Sequence, residues 1–287
     1  MKTMARKPKG GGKGAEKVPV TIVVRLCHGV AEFGACVEIQ RVVWGSADVD
    51  VVPRSLFVVA AESGGQVLGA FAEDRMVGFT LALAGVRGRA PFLYSHMTAV
   101  MEAWRDRGIG RSLKLLQRED ALSRGIQLVE WTFDPLQIKN AYFNLVKLGA
   151  IARRYTANLY GITSSPLHAG LPTDRLVAEW QLRSARVRRA VAARTMQESA
   201  ARKRAISLLR AASTARTRAR GRGKTVRIRV PAELASLGHT RPDEAARLQA
   251  EIRQEFEHWL NLGYAATSVA VAGQGGEYVL QPWAKGR

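Results

Sequence analysis

Residues 94–113, YSHMTAVMEAWRDRGIGRSL, decide the fold. The run that ends at Val100 is apolar and strand-like, and residues 105–110, RDRGIG, then open a long helical pattern. Two glycines let the backbone approach an anion closely, and the N–H groups at a helix start point at it with the positive end of the helix dipole. The spacing is neither that of dinucleotide-binding folds nor that of the P-loop. The stretch therefore predicts a diphosphate cradle; the alternative is a plain strand–helix turn with surface arginines.

Apolar periodicity predicts further elements on both sides of this stretch. Strands are predicted over residues 18–25, 66–72, 76–84, 92–100, 126–133, 152–160 and 175–182, and helices over residues 31–43, 108–124 and 134–149. Gly125 suits the left-handed position that ends a helix, and Asp134 before Pro135 suits a helix start. This order of elements predicts an α/β fold, with a mixed sheet and helices on its faces, over residues 18–183.

The rest of the chain divides into three parts. Residues 1–17 are predicted to be a disordered basic tail, residues 184–224 a basic linker that is helical at first, and residues 225–287 a small β-α-β-β extension. In the extension, Thr240 and Asp243 form a capping-box pattern before the helix over residues 242–262. Its helix–Gly–strand junction at Gly263 is similar to the junction at Gly149. An internal duplication is one interpretation of this similarity, and a common type of junction is the other.

The composition excludes several classes of protein. Hydrophobic residues make up 47% of the 287 residues, which excludes wholesale disorder. The chain has only two cysteines, Cys27 and Cys36, so no disulfide framework is expected. Their small number instead predicts a reducing, cytoplasmic location. No apolar run approaches the ~18 residues of a membrane helix, and no apolar segment follows the basic start as in a secretory signal. We therefore expect a cytoplasmic protein without a membrane partner.

The net charge of +20 lies in two segments. Residues 1–17 hold six basic residues against one acid, residues 181–230 hold sixteen against one, and the remainder holds 22 of each sign. A strongly basic segment attracts polyanions. One interpretation is therefore that residues 185–224 make weak contact with nucleic acid or the ribosome. No aromatic residue between Leu182 and Ala232 could stack on bases, which favours a solvated arm.

Arg-x-x-Gly-x-Gly after a strand that ends in Ala-Val resembles the acyl-CoA-binding signature of the GNAT superfamily of N-acyltransferases. The order of elements over residues 18–183 is also the order of that superfamily. The strings YSHMTAV, LKLLQREDAL, WTFDPLQIKNAYFNLVKLGA and GLPTDRLVAEW resemble a branch of predicted acetyltransferases with a C-terminal extension. The resemblance implies the GNAT fold, acetyl-CoA or another acyl-CoA as co-substrate, no metal, and direct transfer to an amine without an acyl-enzyme.

The resemblance also implies where the co-substrate binds. The diphosphate would be held by five consecutive backbone N–H groups, those of Arg107, Gly108, Ile109, Gly110 and Arg111. The side chains of Arg105, Arg107 and Arg111 would add positive charge. Ala99 and Val100 would pair with the pantetheine arm, and the Val100 N–H would stabilise the oxyanion. Asn140 would be a further polar contact, although the usual asparagine of the superfamily lies at the position of Ile138.

Acyl transfer to an amine needs a base for the ammonium group and often an acid for the leaving thiolate. His96 lies four residues before Val100, the spacing of the base in arylalkylamine-type members, and a hydrogen-bonded structural histidine is the alternative. An unperturbed imidazole titrates near pH ~6.5, which suits this role. Strand alternation predicts that Tyr94, His96 and Thr98 share one face with Val100.

The candidate for the general acid does not follow the pattern of the superfamily. Leu145 occupies the position of the usual tyrosine, so Tyr142, one helical turn earlier, is the candidate acid, with packing as the alternative. Glu130 and Asp134 are rival candidates for the base, although Asp134 is also the predicted helix cap. An enzyme without a protein acid is a further alternative, because a CoA thiol is acidic enough to leave unaided.

The acceptor is predicted to be a small amine such as an amino acid, and the transferred group acetyl or succinyl. Its candidate contacts are Tyr94, Glu130, Asp174 and Arg175. Asp174 would bind an amine and Arg175 a carboxylate, whereas a structural Asp–Arg pair is the alternative. The competing function is a non-catalytic binding protein of the same fold that holds nucleic acid through the linker. The sequence is compatible with both a monomer and a homodimer.

Overall fold

The computed structural model describes residues 20–45, 50–161, 170–193, 225–273 and 275–283. The strands are β1 (Ile22–Leu26), β2 (Gln66–Ala72), β3 (Arg75–Arg87), β4 (Ala90–Val100), β5 (Leu128–Phe133), β6 (Ile151–Thr156), β7 (Arg175–Gln181), β8 (Val226–Val230), β9 (Tyr264–Ala272) and β10 (Gly275–Pro282). The helices are α1 (Gly29–Trp44), α2 (Arg54–Glu62), α3 (Ile109–Ser123), α4 (Ile138–Tyr142), α5 (Ala185–Ala192), α6 (Leu234–Thr240) and α7 (Pro242–Asn261). The predicted tail at residues 1–17 and the linker from residue 194 to residue 224 lie outside the described residues.

The strands form one mixed sheet in the order β1-β2-β3-β4-β5-β7-β6-β9-β10-β8. β4 and β5 run parallel, and the other neighbouring strands pair antiparallel. The predicted class, a mixed α/β sheet with flanking helices, is confirmed. The extension is not a separate layer, because β9 pairs with β6 at Ala152 and Ala266 and so continues the sheet.

Helices cover both faces of β2, β3 and β4. On one face, Phe57 of α2 and Phe79 of β3 meet edge to face, with their ring centroids 5.7 Å apart. On the other face, Leu113 of α3 packs into a buried cluster with Leu68 and Val77. The sequence pattern did not predict α2 or α6, since both are short and neither begins with a capping side chain.

Two predicted helix caps are wrong. Asp134 accepts a hydrogen bond from the Leu136 N–H at 2.8 Å, but this bond closes a turn, and α4 begins only at Ile138. Thr240 is the last residue of α6, so Arg241 takes the position before α7, and that helix has no side-chain cap. In both cases an intervening turn or helix occupies the residues that the pattern assigned to the cap.

The extension repeats the second half of the preceding domain. β5, α4, β6 and β7 lie in the order β5-β7-β6, and β8, α7, β9 and β10 lie in the equivalent order β8-β10-β9. The equivalent strands β6 and β9 pair with each other at Ala152 and Ala266, each three residues after its left-handed glycine, Gly149 and Gly263. This pairing of equivalent positions favours internal duplication over a coincidence of junctions.

Candidate functional site

β4 and β5 separate soon after they meet. They pair only at Leu93 with Val129 and at Tyr94 with Glu130. Beyond these positions the two described strands form no further ladder pair, although β4 continues to Val100 and β5 to Phe133. The strands therefore enclose a wedge, open at their carboxyl ends, which we call the β4–β5 gap.

Two backbone N–H groups of β4 point into the β4–β5 gap. The Met101 N–H donates to the Val77 carbonyl at 2.9 Å, so these residues form a hydrogen-bonded pair. Hydrogen-bonded and non-hydrogen-bonded pairs alternate along an antiparallel ladder. Val100 and Thr98, opposite Gly78 and Thr80, are therefore non-hydrogen-bonded positions. Their N–H groups face away from β3, towards the side where β5 has diverged. Thr98 was not predicted as a residue whose N–H group faces the gap.

A β-bulge at His96 changes which side chains of β4 face α3. Met97 pairs with Leu81 and Ser95 with Ala82, so His96 is the extra residue. Ser95 accepts a hydrogen bond from Lys114 of α3, and Val100 packs against the α3 cluster. Positions five apart face opposite sides of a regular strand, so the bulge must shift the alternation by one. The prediction of a shared face is wrong: Thr98 and Val100 face α3, whereas Tyr94 and His96 face the opposite side.

Tyr94 and His96 lie beside two further hydroxyl groups on the face opposite α3. The Tyr160 hydroxyl is 3.2 Å from that of Tyr94 and 3.0 Å from Thr132 Oγ1, so it bridges β4 and β5 across the gap. We call Tyr94, Thr132 and Tyr160 the hydroxyl cluster. The rings of Tyr94 and His96 are 6.4 Å apart. Tyr160 lies at the end of a predicted strand, and no motif in the sequence marks it.

Burial fixes the protonation state of two of these groups at neutral pH. Burial raises the pKa of Tyr94 to about 12, so its hydroxyl stays a hydrogen-bond donor at neutral pH. Burial also lowers the pKa of His96 below its ordinary value, so the neutral imidazole, which can accept a proton, prevails at pH 7. His96 is therefore in the protonation state of a base.

The first turn of α3 begins beside the end of β4. Gly108 precedes the helix with φ 81°, a conformation that favours glycine, and the Ser112 N–H donates to its carbonyl at 3.0 Å. The N–H groups ahead of Ser112 precede the intrahelical ladder and point out of the helix end. A Cβ atom on Gly110 would meet only Val100 Cγ2, at 3.9 Å, so space remains for an anion next to the gap.

The arginines of the motif have separate roles. Arg105 Nε donates to the Val100 carbonyl at 3.2 Å, and the Arg107 guanidinium lies 4.9 Å from the Trp104 ring centroid. Both side chains therefore stay near the gap and its cradle. Arg111 differs from the prediction, because its Nη2 donates to the Val191 carbonyl at 2.7 Å. Its side chain is directed to the end of α5, and only its backbone lies in the predicted cradle.

The predicted contacts on α4 lie away from the hydroxyl cluster. Asn140 is exposed, and its Oδ1 accepts from Asn144 Nδ2 at 3.4 Å. The Tyr142 ring is half-buried against the core, with Lys147 Nζ 5.9 Å from its centroid. Leu145, at the position of the usual acid, is fully buried. The structure supplies a packing environment for Tyr142 and does not join it to Tyr94 and His96.

Glu130 and Asp174 are buried carboxylates that pair with partly exposed arginines. The two carboxylate oxygens of Glu130 each lie 2.6 Å from a guanidinium nitrogen, one of Arg87 and one of Arg154. Asp174 pairs with Arg253 of α7 at 2.8 Å, and it also accepts hydrogen bonds from the Tyr155 hydroxyl and the Asn158 N–H. The predictions that Asp174 binds the acceptor amine and that Glu130 contacts the acceptor or acts as the base do not agree with this geometry, since arginines already pair with both carboxylates.

Arg175, by contrast, lies beside the hydroxyl cluster. Its guanidinium carbon is 5.5 Å from the Tyr160 ring centroid, and Nη1 donates to the Asp174 carbonyl at 3.0 Å. The side chain is 8% exposed. Asp134 lies in the same region, and burial raises the pKa of its carboxyl above the ordinary value. The structure thus brings Tyr94, His96 and Arg175 to one side of the gap and leaves Glu130 in its ion pairs.

Within residues 20–45, 50–161, 170–193, 225–273 and 275–283, no three His, Cys, Asp or Glu side chains come together as a metal site. In the same ranges, every helix is too short or too polar to cross a membrane.

No protein-family model matches the chain, and no curated protein matches it either. Among solved structures, it is similar to the ribosomal-protein-S18-alanine N-acetyltransferase from Escherichia coli, with 14% identity and a TM-score of 0.45 over 57% of this chain and 96% of that one. It is similar to yncA from Salmonella typhimurium with its cofactor acetyl-CoA (16%, TM-score 0.47, 58% and 97%). It is also similar to an Arabidopsis thaliana protein in complex with the bisubstrate analogue CoA-Ac-MVNAL (15%, TM-score 0.45, 56% and 98%).

Proposed function

We propose that this protein is an acyl-CoA-dependent N-acyltransferase that moves an acyl group from CoA to the amine of a small molecule. One observation carries the proposal: the β4–β5 gap, which receives two backbone N–H groups from β4, opens directly beside the first turn of α3. A diphosphate at that turn would place an extended thioester arm along the edge of β4. The residues present therefore fit an acyl-CoA as co-substrate.

We assign every part of the reaction except protonation of the leaving thiolate to a group beside the gap. The helix dipole and the N–H groups at Gly108–Gly110 bind the diphosphate, and Arg105 and Arg107 add positive charge. The N–H groups of Thr98 and Val100 serve the pantetheine arm and the thioester oxygen, where a fixed donor is worth ~3 kcal/mol in the transition state. In this proposal, backbone N–H groups contribute more to binding the CoA diphosphate than the arginine side chains do.

The chemical step is a direct displacement. The amine nitrogen attacks the thioester carbonyl carbon, the C–N bond forms, the C–S bond breaks, and CoA leaves as its thiolate, which takes up the proton that the nitrogen loses as the amide forms. His96, in its neutral form, accepts the proton lost by the ammonium group, directly or through water. The hydroxyl cluster lies on the same side of the gap and orients the acceptor. Arg175, next to Tyr160, suits an acceptor with a carboxylate, such as an amino acid.

A cytoplasmic location agrees with the two cysteines, which are free and buried in the structure. The expected contact with nucleic acid or the ribosome stays a prediction, because most of the basic linker lies outside the described residues. The competing proposal, a non-catalytic binding protein, is favoured by one observation, the buried Leu145 at the position of the acid. Deletion of residues 194–224 should abolish retention on nucleic acid and spare acyl transfer if the protein is an enzyme.

Titration calorimetry with acetyl-CoA on the wild type and on Gly110→Glu tests the proposal. The variant puts a carboxylate at the mouth of the gap, where only Val100 is near, so folding should be kept and affinity should fall at least ~100-fold. Gly34→Glu on α1 is the matched control, since a Cβ atom there meets nothing within 4 Å. Equal affinity of both variants and the wild type would contradict the proposal.

A screen for turnover follows on the same protein. Amino acids and polyamines are each offered with acetyl-, propionyl- and succinyl-CoA, and the release of CoA thiol is measured. Acceptor-dependent release is expected for at least one pair. Tight binding of acyl-CoA without release on any acceptor would instead support the non-catalytic alternative.

A further inference from the structure

A cavity of about 240 Å³ lies where the core, the helix α5 and the C-terminal extension meet. Its walls include Leu145 and Gly149 from the segment after α4, Arg186 and Arg189 from α5, and Thr267 and Ser268 from β9. None of the residues that we assign to the acyl-CoA or to the acceptor lines this cavity. It is therefore separate from the β4–β5 gap, and we call it the α5–β9 cavity.

The guanidinium of Arg186 is fixed in the wall of the α5–β9 cavity by three carbonyl groups. Its Nε donates to the Gly149 carbonyl at 3.0 Å, and its Nη2 donates to the carbonyls of Leu145 and Thr267. Its Nη1 donates to none of the described residues. The three acceptors are neutral, so they hold the guanidinium in place without cancelling its charge, and Nη1 keeps its donors for a ligand.

Arg189 adds a second positive charge to the α5–β9 cavity, because residues three apart share one face of a helix. Burial lowers the pKa of Arg186, and the charge of Arg189 lowers it further. No carboxylate of the described residues pairs with either arginine.

Ser268 contributes a hydroxyl to the same wall. The residue is half-buried, and within the described part of the chain its hydroxyl has no hydrogen-bond partner. Two guanidinium groups without a counter-ion and a hydroxyl without a partner therefore line one cavity. Charge-assisted hydrogen bonds from such donors bind the oxygens of an anion.

We propose that the α5–β9 cavity binds a phosphate group, carried by the inorganic ion or by a small monoester. A phosphate monoester carries nearly two negative charges at pH 7, which matches the two arginines, whereas a carboxylate would neutralise only one of them. The cavity is several times the ~30 Å³ that a water molecule occupies in the liquid, so a phosphate group fits. Bound phosphate would join α5 to β9 and so stabilise the docking of the extension.

Nuclear magnetic resonance of the backbone amides tests the proposal. Inorganic phosphate is titrated at pH 7 and constant ionic strength into the wild type, Arg189→Met and Arg188→Met. Arg188 is the matched control, since it is equally charged and exposed, its Nη1 donates to the Arg183 carbonyl, and it does not line the cavity. We expect saturable shifts at Ala190 and Ser268, with an affinity at least ~10-fold lower in Arg189→Met and within ~2-fold of the wild type in the control.

A second titration identifies the source of the phosphate group. Ribose 5-phosphate is compared with ribose, which should cause no shift. Tighter binding of ribose 5-phosphate than of inorganic phosphate would assign the cavity to a monoester, and weaker binding would assign it to the free ion. The amide of Gly110 is followed as well, because phosphate bound at the first turn of α3 would shift it equally in all three proteins.

Three results would overturn the proposal. The first is the absence of a saturable shift at Ala190 and Ser268 with either phosphate compound. The second is an unchanged affinity in Arg189→Met. The third is an equal loss in Arg189→Met and Arg188→Met, because that would reduce the effect to net charge. Each of these results leaves the proposed acyl transfer untouched, since the titrations contain no acyl-CoA.

Discussion

Arg253 of α7 holds the carboxylate of Asp174 with two hydrogen bonds, from Nε at 2.8 Å and from Nη2 at 3.0 Å. The Asp174 side chain is fully buried, whereas 28% of the Arg253 side chain is exposed. The pair joins the C-terminal extension to the segment that leads into β7. Arg175, beside the hydroxyl cluster, is the next residue, so the extension supports the acceptor side of the gap.

Arg253→Met should therefore destabilise the protein. Removal of the guanidinium leaves a buried carboxylate without its cation, which costs about 3 kcal/mol or more when a buried pair is broken. Unfolding in urea, followed by circular dichroism, measures the change in the free energy of unfolding. Arg247→Met, at an exposed position on the same helix, is the control and should change stability by less than about 0.5 kcal/mol. Equal stability of the two variants would show that the pair is not structural.

His96→Ala should reduce acyl transfer by a factor of about 100 or more, because the attacking amine loses its base. The pKa of His96 is lowered by burial, and only the neutral imidazole accepts a proton. The acid limb of the pH–rate profile should therefore have its midpoint below pH ~6.5. The profile of the alanine variant should lose this limb while acyl-CoA affinity stays unchanged. A limb that persists in the variant would exclude His96 as the base.

Lys114→Met should stabilise the protein at neutral and acidic pH, and the gain should shrink as the pH rises. The folded-state pKa of Lys114 is about 7, below the ordinary 10.5, so between these values the unfolded chain binds more protons and wild-type stability rises with pH. Below pH 7 the folded wild type must hold a buried ammonium group, which costs a few kcal/mol. Urea unfolding from pH 6 to pH 10 measures the difference; a gain independent of pH would contradict this assignment.

The sequence predicted the fold and the strand–helix turn at Gly108 because both depend on local patterns. The glycines around Ile109 and the strand that ends at Val100 mark a strand–helix turn wherever they occur. The β-bulge at His96 had no such mark, since residues 95–97 contain neither glycine nor proline and the extra residue is defined only by its pairing with β3. The predicted common face of His96 and Val100 was wrong for this reason.

The remaining site residues depend on contacts between distant parts of the chain. The prediction that Asp174 binds an amine failed because its partner Arg253 is 79 residues away in the sequence, where no local pattern connects the two. Lys114 had the appearance of an ordinary surface lysine of an amphipathic helix, and only the packing of α3 against Ser95 and Trp131 shows it to be buried. Tyr160 became part of the site because the turn after β6 brings it to Thr132.

The most direct test of the account follows the backbone amides of β4 and α3 by nuclear magnetic resonance while acetyl-CoA is added. We expect the largest shifts, and slowed hydrogen exchange, at the amides of Thr98, Val100 and Gly110, because these groups bind the thioester arm and the diphosphate. Amides of β9 and β10 should stay unchanged. Binding of acetyl-CoA that leaves Thr98, Val100 and Gly110 unaffected would contradict the claim that the β4–β5 gap holds the thioester.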